Sequence, residues 1–91
     1  MLTLEDIKEK MGKLKDWAIE NKSIVKDYTF PDFKFSIDFV NKVSEIAEKN
    51  NHHPTIIIDY NMVRLSLTTH SENSLTEKDF SLAEEIDKIS V

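Results

Sequence analysis

The segment from Thr55 to Thr69 constrains the fold more than any other part of the sequence. Thr55–Tyr60 is dense in β-branched residues, and Met62–Thr69 alternates apolar with polar residues. Such alternation is typical of a strand with one buried face. Asn61 stands between the two runs and favours a turn. We therefore predict a β-hairpin with these side chains facing the core: Ile56, Ile58, Tyr60, Val63, Leu65 and Leu67.

A second hairpin is predicted earlier in the chain. Its strands are Asp16–Glu20 and Ile24–Phe30, and Asn21-Lys22-Ser23 forms the turn between them. Period-two alternation places Ile24, Tyr28 and Phe30 on one face, although Lys26 interrupts this apolar pattern.

Three segments have helical periodicity. Thr3–Met11 begins with a capping box formed by Thr3 and Asp6, and the single glycine, Gly12, is expected to end the helix. A longer helix over Ser36–Asn50 follows the break at Pro31-Asp32, and a final helix covers Thr76–Ser90. The predicted apolar stripes are Leu4, Ile7, Met11 and Leu14; Ile37, Val40, Val43 (or Phe39), Ile46 and Ala47; and Phe80, Ala83, Ile86 and Ile89.

The resulting order of elements is α-β-β-α-β-β-α. Strands joined by short turns are antiparallel, and their one-sided apolar faces indicate helices on one side of a single sheet. We predict an α+β fold with a four-stranded antiparallel sheet and helices packed on one face. Ninety-one residues make one domain, spanning 1–91.

Composition excludes several classes of function. Seventeen acidic and twelve basic residues give a net charge of −5, which disfavours binding to nucleic acid or to an anionic membrane. The absence of cysteine removes disulfides, thiol nucleophiles and cysteine-based zinc sites. No apolar run approaches the roughly 20 residues that a membrane span needs. We expect a cytoplasmic protein.

The three histidines are the candidate site. His52 and His53 precede the first strand of the later hairpin, and His70 follows its second strand. Hairpin geometry brings these positions to the same end of the sheet. Continued alternation along this strand places His70 on the same outward face as Arg64, so it should be accessible to solvent. A lone histidine is more often a surface or structural residue, but three converging histidines favour a site for proton transfer near neutral pH.

Four segments carry a resemblance to a known family, and it spans most of the chain. They are Glu48-Lys-Asn-Asn-His52-His53-Pro54, Tyr60-Asn61-Met62-Val63, Leu67-Thr68-Thr69-His70 and Leu75-Thr76-Glu-Lys-Asp79-Phe-Ser-Leu-Ala83. Together they resemble the pterin-4a-carbinolamine dehydratases, also called dimerisation cofactors of a homeodomain transcription factor. Trp17, Phe30 and the pattern Phe39-Val40-Val43-Ala47-Glu48 extend the likeness upstream.

The resemblance implies loss of water from a 4a-hydroxytetrahydropterin to give the quinonoid dihydropterin, a step in tetrahydrobiopterin recycling. It implies that His52 and His70 transfer protons and that His53 holds the pterin. It implies no metal and no cofactor, a small-molecule pterin as the partner, and a homodimer or homotetramer. The substrate-binding residues that it implies are Glu48, Pro54, Thr69, Ser71, Glu72 and Asp79.

Two of these residues have ordinary alternative interpretations. Asp79 also completes a capping box with Thr76, which the helix needs in any case. Glu48 lies in the last turn of a helix, where a carboxylate is mildly unfavourable to the helix dipole, and its alternative interpretation is a side chain on a solvated face.

The sequence also departs from the family pattern at two places. The loop before Leu75 usually carries glycine, and here it reads Ser71-Glu72-Asn73-Ser74; asparagine tolerates left-handed backbone angles and could substitute. The position two after Pro54 is often aromatic and is here Ile56.

Two other functions remain as alternatives. Three histidines could bind zinc with an open coordination position, but adjacent side chains diverge in an extended chain and rarely ligate one ion together. A non-catalytic interaction module, like the coactivator members of the family, would use an exposed apolar helix face or sheet edge instead.

Overall fold

The two predicted hairpins join into a single sheet. In the computed structural model, which describes residues 1–90, the strands are β1 (Ala18–Glu20), β2 (Ser23–Thr29), β3 (Thr55–Asp59) and β4 (Met62–Leu67). All neighbours are antiparallel, and the order is β1-β2-β4-β3. β4 therefore lies in the interior of the sheet, with Leu67 opposite Ile24 of β2 and Leu65 opposite Ile56 of β3.

Three helices complete the fold. They are α1 (Leu4–Met11), α2 (Phe33–Asn50) and α3 (Glu77–Asp87), and a short 3-10 turn covers His70–Glu72. The observed order confirms the predicted α+β fold with its four-stranded antiparallel sheet. In the part of the chain that the structure describes, no helix is both long and apolar enough to cross a membrane.

The core lies between the inner face of the sheet and the helices. Period-two alternation holds in β4, where Val63, Leu65 and Leu67 are buried and the intervening residues are not. Burying apolar side chains on one face is the main favourable term for a chain of this size. The helices and loops contribute these buried residues: Trp17, Phe30, Phe39, Val43, Leu75, Phe80, Leu82, Ala83 and Ile86.

Two strand predictions need correction. β1 begins at Ala18 instead of Asp16, because Asp16 has a left-handed backbone (φ 62°), which a continuous strand cannot contain. Tyr60 does not share the inner face of β3. It lies in the turn with φ 52° and is 63% exposed, because the tight connection to β4 needs a left-handed residue there.

The other strand ends lie within two residues of prediction. β2 runs one residue earlier than expected. β4 ends at Leu67 instead of Thr69.

The helix predictions also change in detail. α2 begins at Phe33, because the Asp32 side chain accepts a hydrogen bond from the Phe35 N–H and caps the helix three residues early. Its buried stripe includes Phe39, Val43 and Ala47, whereas Ile37 is only half-buried and lies outside the core cluster. α3 is shorter than predicted and ends at Asp87.

The capping box of α1 is confirmed, and the stripe of this helix differs at one position. Leu4 is 86% exposed, while Leu2, before the cap, packs on the core together with Ile7. This arrangement is typical of a hydrophobic staple, in which the residue before the cap packs with the fourth residue of the helix.

Lys26 interrupts the apolar pattern of β2 because it is part of a buried polar cluster. Its Nζ lies 2.9 Å from Oδ1 of Asp87, and both side chains are largely buried. The same carboxylate accepts hydrogen bonds from the Trp17 indole (2.9 Å) and the Lys15 backbone N–H (3.0 Å). Asp87 thus connects the end of α3 to β2 and to the segment before β1.

Tyr28 offers a test of stability. Its ring packs against Phe39 with centroids 4.4 Å apart, but its hydroxyl is buried and has no hydrogen-bond partner among residues 1–90. An unsatisfied buried hydroxyl costs about 1–3 kcal/mol. We expect Tyr28→Phe to raise the free energy of unfolding at pH 7 by about 1 kcal/mol, measured by urea denaturation.

The same substitution should change the alkaline limit of stability. Burial, with a smaller contribution from the Asp87 charge, raises the pKa of Tyr28 above its ordinary value of 10.0. A group whose folded pKa is raised contributes stability below its unfolded pKa and loses it as the pH rises further. The native protein should therefore weaken above about pH 10, and Tyr28→Phe should reduce that loss. An equal loss in both proteins would contradict this assignment.

Candidate functional site

The end of α2 positions the histidine pair. Asn51 takes a left-handed conformation (φ 49°), and its N–H bonds back to the last turn of the helix. The next N–H, that of His52, donates to the Ala47 carbonyl at 3.2 Å. Two successive N–H groups that bond back to the last turn are a common way for a helix to end with a left-handed residue. His52 is thereby held against the helix end, and His53 leads into β3.

The loop after β4 positions the third histidine. Thr69 pairs with Ser74 in an isolated antiparallel bridge, and the 3-10 turn that begins at His70 lies inside this bridge. Asn73 closes the turn with φ 50°, which is the left-handed conformation that the sequence analysis expected asparagine to supply. The bridge holds the turn beside the start of β3, and His70 is exposed as expected from its parity.

All three histidines line one cavity of about 270 Å³. The cavity lies where the end of α2, the end of β4 and the first turn of α3 meet. Its lining residues are Asn51, His52, His53, Thr68, Thr69, His70, Ser71 and Lys78.

His52 is bound to a buried carboxylate. Its Nε2 lies 2.6 Å from Oδ1 of Asp79, which is fully buried, and the imidazole itself is mostly buried. Oδ2 of Asp79 accepts hydrogen bonds from the Thr69 hydroxyl (2.8 Å) and from the Thr76 N–H (2.9 Å). A carboxylate can only accept, so His52 donates from Nε2 and keeps Nδ1 free. Asp79 therefore fixes both the orientation and the tautomer of His52.

The other two histidines are in more open positions. Nε2 of His53 lies 2.5 Å from Oε2 of Glu48, and both side chains are more than half exposed. Exposed pairs of this kind contribute little to stability. Within the described part of the chain, the His70 imidazole has no hydrogen-bond partner. His70 is thus the ring with both nitrogens available to a ligand.

The geometry does not favour a metal centre. Across residues 1–90 no group of three or more His, Asp or Glu side chains is arranged to hold a metal ion. His52 and His53 each bind a different carboxylate, that of Asp79 and that of Glu48.

Comparison with known proteins places the chain in a family. The model of the Pterin 4 alpha carbinolamine dehydratase family matches residues 1–89. The chain belongs to this family. Two similar proteins are provisionally named pterin-4-alpha-carbinolamine dehydratases. The one from Sulfolobus acidocaldarius is 44% identical over 84 residues, covering 92% of each chain. The one from Chloroflexus aurantiacus is 47% identical over 88 residues, covering 97% of this chain and 95% of the relative.

One solved structure agrees with this assignment, and a second shares the fold. A transcriptional coactivator/pterin dehydratase from Brucella melitensis superposes with a TM-score of 0.88 and is 33% identical, covering 93% of each chain. A pterin dehydratase-like protein, identified as a RuBisCO assembly factor in the alpha-carboxysome, shares the fold with a TM-score of 0.68 at 18% identity, covering 82% of this chain and 89% of that one. The family and the names of the relatives support dehydratase, and hence lyase, chemistry.

The candidate residues of this dehydratase-family chain divide into two groups. His52, His53, His70, Thr69 and Ser71 line the histidine cavity. The remaining four lie outside it: Asp79 behind His52, Glu48 against His53, Pro54 after the histidine pair, and Glu72 in a neighbouring cavity that Thr69 and Ser71 also line.

Three residues that line the histidine cavity were not predicted from the sequence, namely Asn51, Thr68 and Lys78. Lys78 precedes Asp79 in the capping box of α3, and Thr68 precedes Thr69, so adjacency to predicted residues was the available signal. Asn51 lies between the predicted helix Ser36–Asn50 and His52, so adjacency was the signal there too.

Proposed function

We propose that this protein catalyses the dehydration of a 4a-hydroxytetrahydropterin to the quinonoid dihydropterin. The observation that carries this proposal is the meeting of His52, His53 and His70 in one cavity, with His52 bound to the buried Asp79. Membership in the pterin-4a-carbinolamine dehydratase family supports the reaction type.

The reaction requires two proton transfers. The bond between C4a and the hydroxyl oxygen breaks, and the departing oxygen takes a proton from an acid and leaves as water. The N5–H bond breaks as well, and its electron pair forms the C4a=N5 double bond while a base takes the proton. Imidazoles titrate near neutral pH and can serve in both roles.

The geometry suggests how these roles are divided. Asp79 holds His52 through Nε2, so Nδ1 is the nitrogen that can exchange a proton with the substrate. His70 is unengaged and accessible, as the second proton-transfer group must be. His53, restrained by Glu48 at the exposed side, would bind the pterin ring.

The substrate would be the carbinolamine that aromatic amino-acid hydroxylases release, which places the enzyme in tetrahydrobiopterin recycling in the cytoplasm. The pterin is then the substrate, and the reaction calls for no cofactor because both proton transfers use side chains of the protein. Thr69, Ser71, Glu72 and Pro54 would line the substrate pocket.

The proposed activity can be measured directly. A hydroxylase generates the 4a-carbinolamine in situ, and the decay of its absorbance is followed with and without the purified protein. We expect acceleration that is proportional to protein concentration. The variants His52→Ala and His70→Ala at the same protein concentration serve as the controls, and they should lose most of the acceleration. No acceleration by the folded protein would exclude the proposed reaction.

We also propose a homodimer or homotetramer. Phe33, Phe35, Ile57 and Met62 are each about half exposed, and such apolar surface commonly marks a protein–protein interface. Light scattering at micromolar concentration should give a mass above the 10.6 kDa of one chain. Phe35→Glu should lower that mass, whereas Lys42→Glu, at an exposed polar site on the same helix, should not. A monomer in the unmodified protein would contradict the proposal.

A protein-interaction module is the second candidate function. The same exposed apolar side chains favour it, as does the likeness to a protein named both coactivator and pterin dehydratase. The two functions depend on different residues, so loss of activity in a His70 variant should leave the apolar surface and its binding unaffected.

A further inference from the structure

A chain of hydroxyl groups continues from Asp79 to the start of α3. The Thr69 and Thr76 side-chain oxygens lie 2.7 Å apart, and the Thr69 hydroxyl also lies 2.8 Å from Oδ2 of Asp79. Thr76 is the residue that caps α3, where its oxygen accepts the Lys78 N–H at 3.3 Å. Thr76 was not among the predicted site residues, and it does not line the histidine cavity.

The direction of these hydrogen bonds follows from counting protons. Oδ2 of Asp79 can only accept, so Thr69 must use its single hydroxyl proton there. The 2.7 Å contact between the two threonines then requires the Thr76 proton, and Thr76 must donate to Thr69. The order is therefore Lys78 N–H to Thr76, Thr76 to Thr69, and Thr69 to Asp79, while His52 donates to Asp79 from the opposite side.

This arrangement links the cap of α3 to the orientation of His52. Each hydroxyl in a directed chain is polarised by the next, and in a buried site such chains strengthen cooperatively. Without the Thr76 hydroxyl, the Thr69 oxygen would lose the one donor that it has within residues 1–90. The Thr69 rotamer, and with it the plane of the Asp79 carboxylate, would be less restricted.

We propose that Thr76 is a positioning residue for His52. Its hydroxyl acts through Thr69 and Asp79 to hold the His52 imidazole in its Nε2–H tautomer. Thr76 thus has two separate tasks, to cap α3 and to donate the hydrogen bond that the Thr69 hydroxyl accepts. The kinetic consequence rests on the proposed dehydratase function, but the structural consequence for His52 does not.

Three substitutions separate these tasks. Thr76→Ser keeps both the cap and the proton. Thr76→Gly keeps an acceptable cap residue, since glycine costs only a few tenths of a kcal/mol relative to the best caps, but it removes the hydroxyl. Thr76→Asp keeps a strong cap, but its carboxylate cannot donate to Thr69. The backbone N–H of residue 76 can still bind Asp79 in all three variants.

A matched control exists in α1. Thr3 forms the same capping box with Asp6 at the opposite end of the chain, far from the histidines in sequence and without a link to them. Thr3→Gly therefore removes a threonine cap of the same type, and any general effect of weakening a helix start should appear in it as well.

The experiment measures tautomers and kinetics together. Two-dimensional proton–nitrogen NMR of the imidazoles should show His52 as the Nε2–H tautomer in the unmodified protein, Thr76→Ser and Thr3→Gly. In Thr76→Gly and Thr76→Asp the His52 signals should indicate a mixture of tautomers. In the dehydration assay these two variants should lose about tenfold in kcat, the equivalent of one hydrogen bond, with little change in KM.

Two results would overturn the inference. One is an unchanged His52 tautomer and kcat in both Thr76→Gly and Thr76→Asp, and the other is an equal loss in Thr76→Ser. If the unmodified protein itself has no dehydratase activity, the proposed function fails, and the NMR comparison alone decides whether Thr76 positions His52.

Discussion

His70→Ala should lower kcat/KM for dehydration of a 4a-hydroxytetrahydropterin by about 10²–10⁴-fold, the usual contribution of a positioned acid or base. His52→Ala should cause a loss of the same order. Both rings line the cavity, and each is expected to transfer one of the two protons that the reaction moves. The in situ carbinolamine assay gives the rate constants.

His70→Ala is the cleaner of the two tests. His70 is exposed and has no hydrogen-bond partner within residues 1–90, so its loss should change the free energy of unfolding by less than about 0.5 kcal/mol. His52→Ala removes a donor from the buried Asp79 and should also destabilise the fold by about 1–3 kcal/mol.

His53→Ala provides the comparison for binding. If His53 binds the ring and moves no proton, its loss should raise KM more than it lowers kcat. Full activity in His70→Ala, with an unchanged pH profile, would remove this histidine from the mechanism.

Asp87→Ala should be the most destabilising substitution outside the apolar core, lowering the free energy of unfolding by about 3–5 kcal/mol. It would leave the Lys26 ammonium without its carboxylate in a largely buried position. The Trp17 indole N–H and the Lys15 N–H would lose their acceptor as well. For a domain whose total stability is of the order of 5–15 kcal/mol, this is a large fraction.

Urea denaturation of a short series of variants would establish why Asp87→Ala is unstable. Glu84→Ala, at an exposed position of the same helix, should change stability by less than about 0.5 kcal/mol. The double variant Lys26→Met with Asp87→Leu should recover much of the loss, because removing both charges leaves no unpaired ion. Equal instability of the double variant and Asp87→Ala would show that the ion pair is not the reason.

The later hairpin could be predicted because all of its information is local. Clean alternation over Met62–Thr69, β-branched residues over Thr55–Tyr60 and a turn residue between them agree with one another. The position of Tyr60 in the turn was missed, since an aromatic residue with positive φ contradicts its local preference. The start of β1 was missed for a similar reason, because Asp16 and Trp17 are placed by the turn and by Asp87, 70 residues away from the indole.

For the candidate site, the position of the histidines could be predicted from the sequence, but their hydrogen-bond partners could not. Hairpin geometry alone places His52, His53 and His70 at one end of the sheet. The pairing of His52 with Asp79 depends on how α3 packs against the end of α2, which no local pattern encodes. The family resemblance named Asp79 as a site residue but did not pair it with His52. The inward direction of Lys26 could not be foreseen either, because its partner lies 61 residues further along the chain.

The way α2 ends has a consequence for the heat sensitivity of the protein. His52 is placed by hydrogen bonds to the final turn of a helix, and terminal turns fray at lower free-energy cost than the strands of a core. Its anchor, the Ala47 carbonyl, belongs to a buried residue, so fraying that stops short of Ala47 leaves the sheet intact. Thermal inactivation would then begin when this fraying also breaks the contact between the His52 imidazole and Asp79, at temperatures where the rest of the protein is still folded.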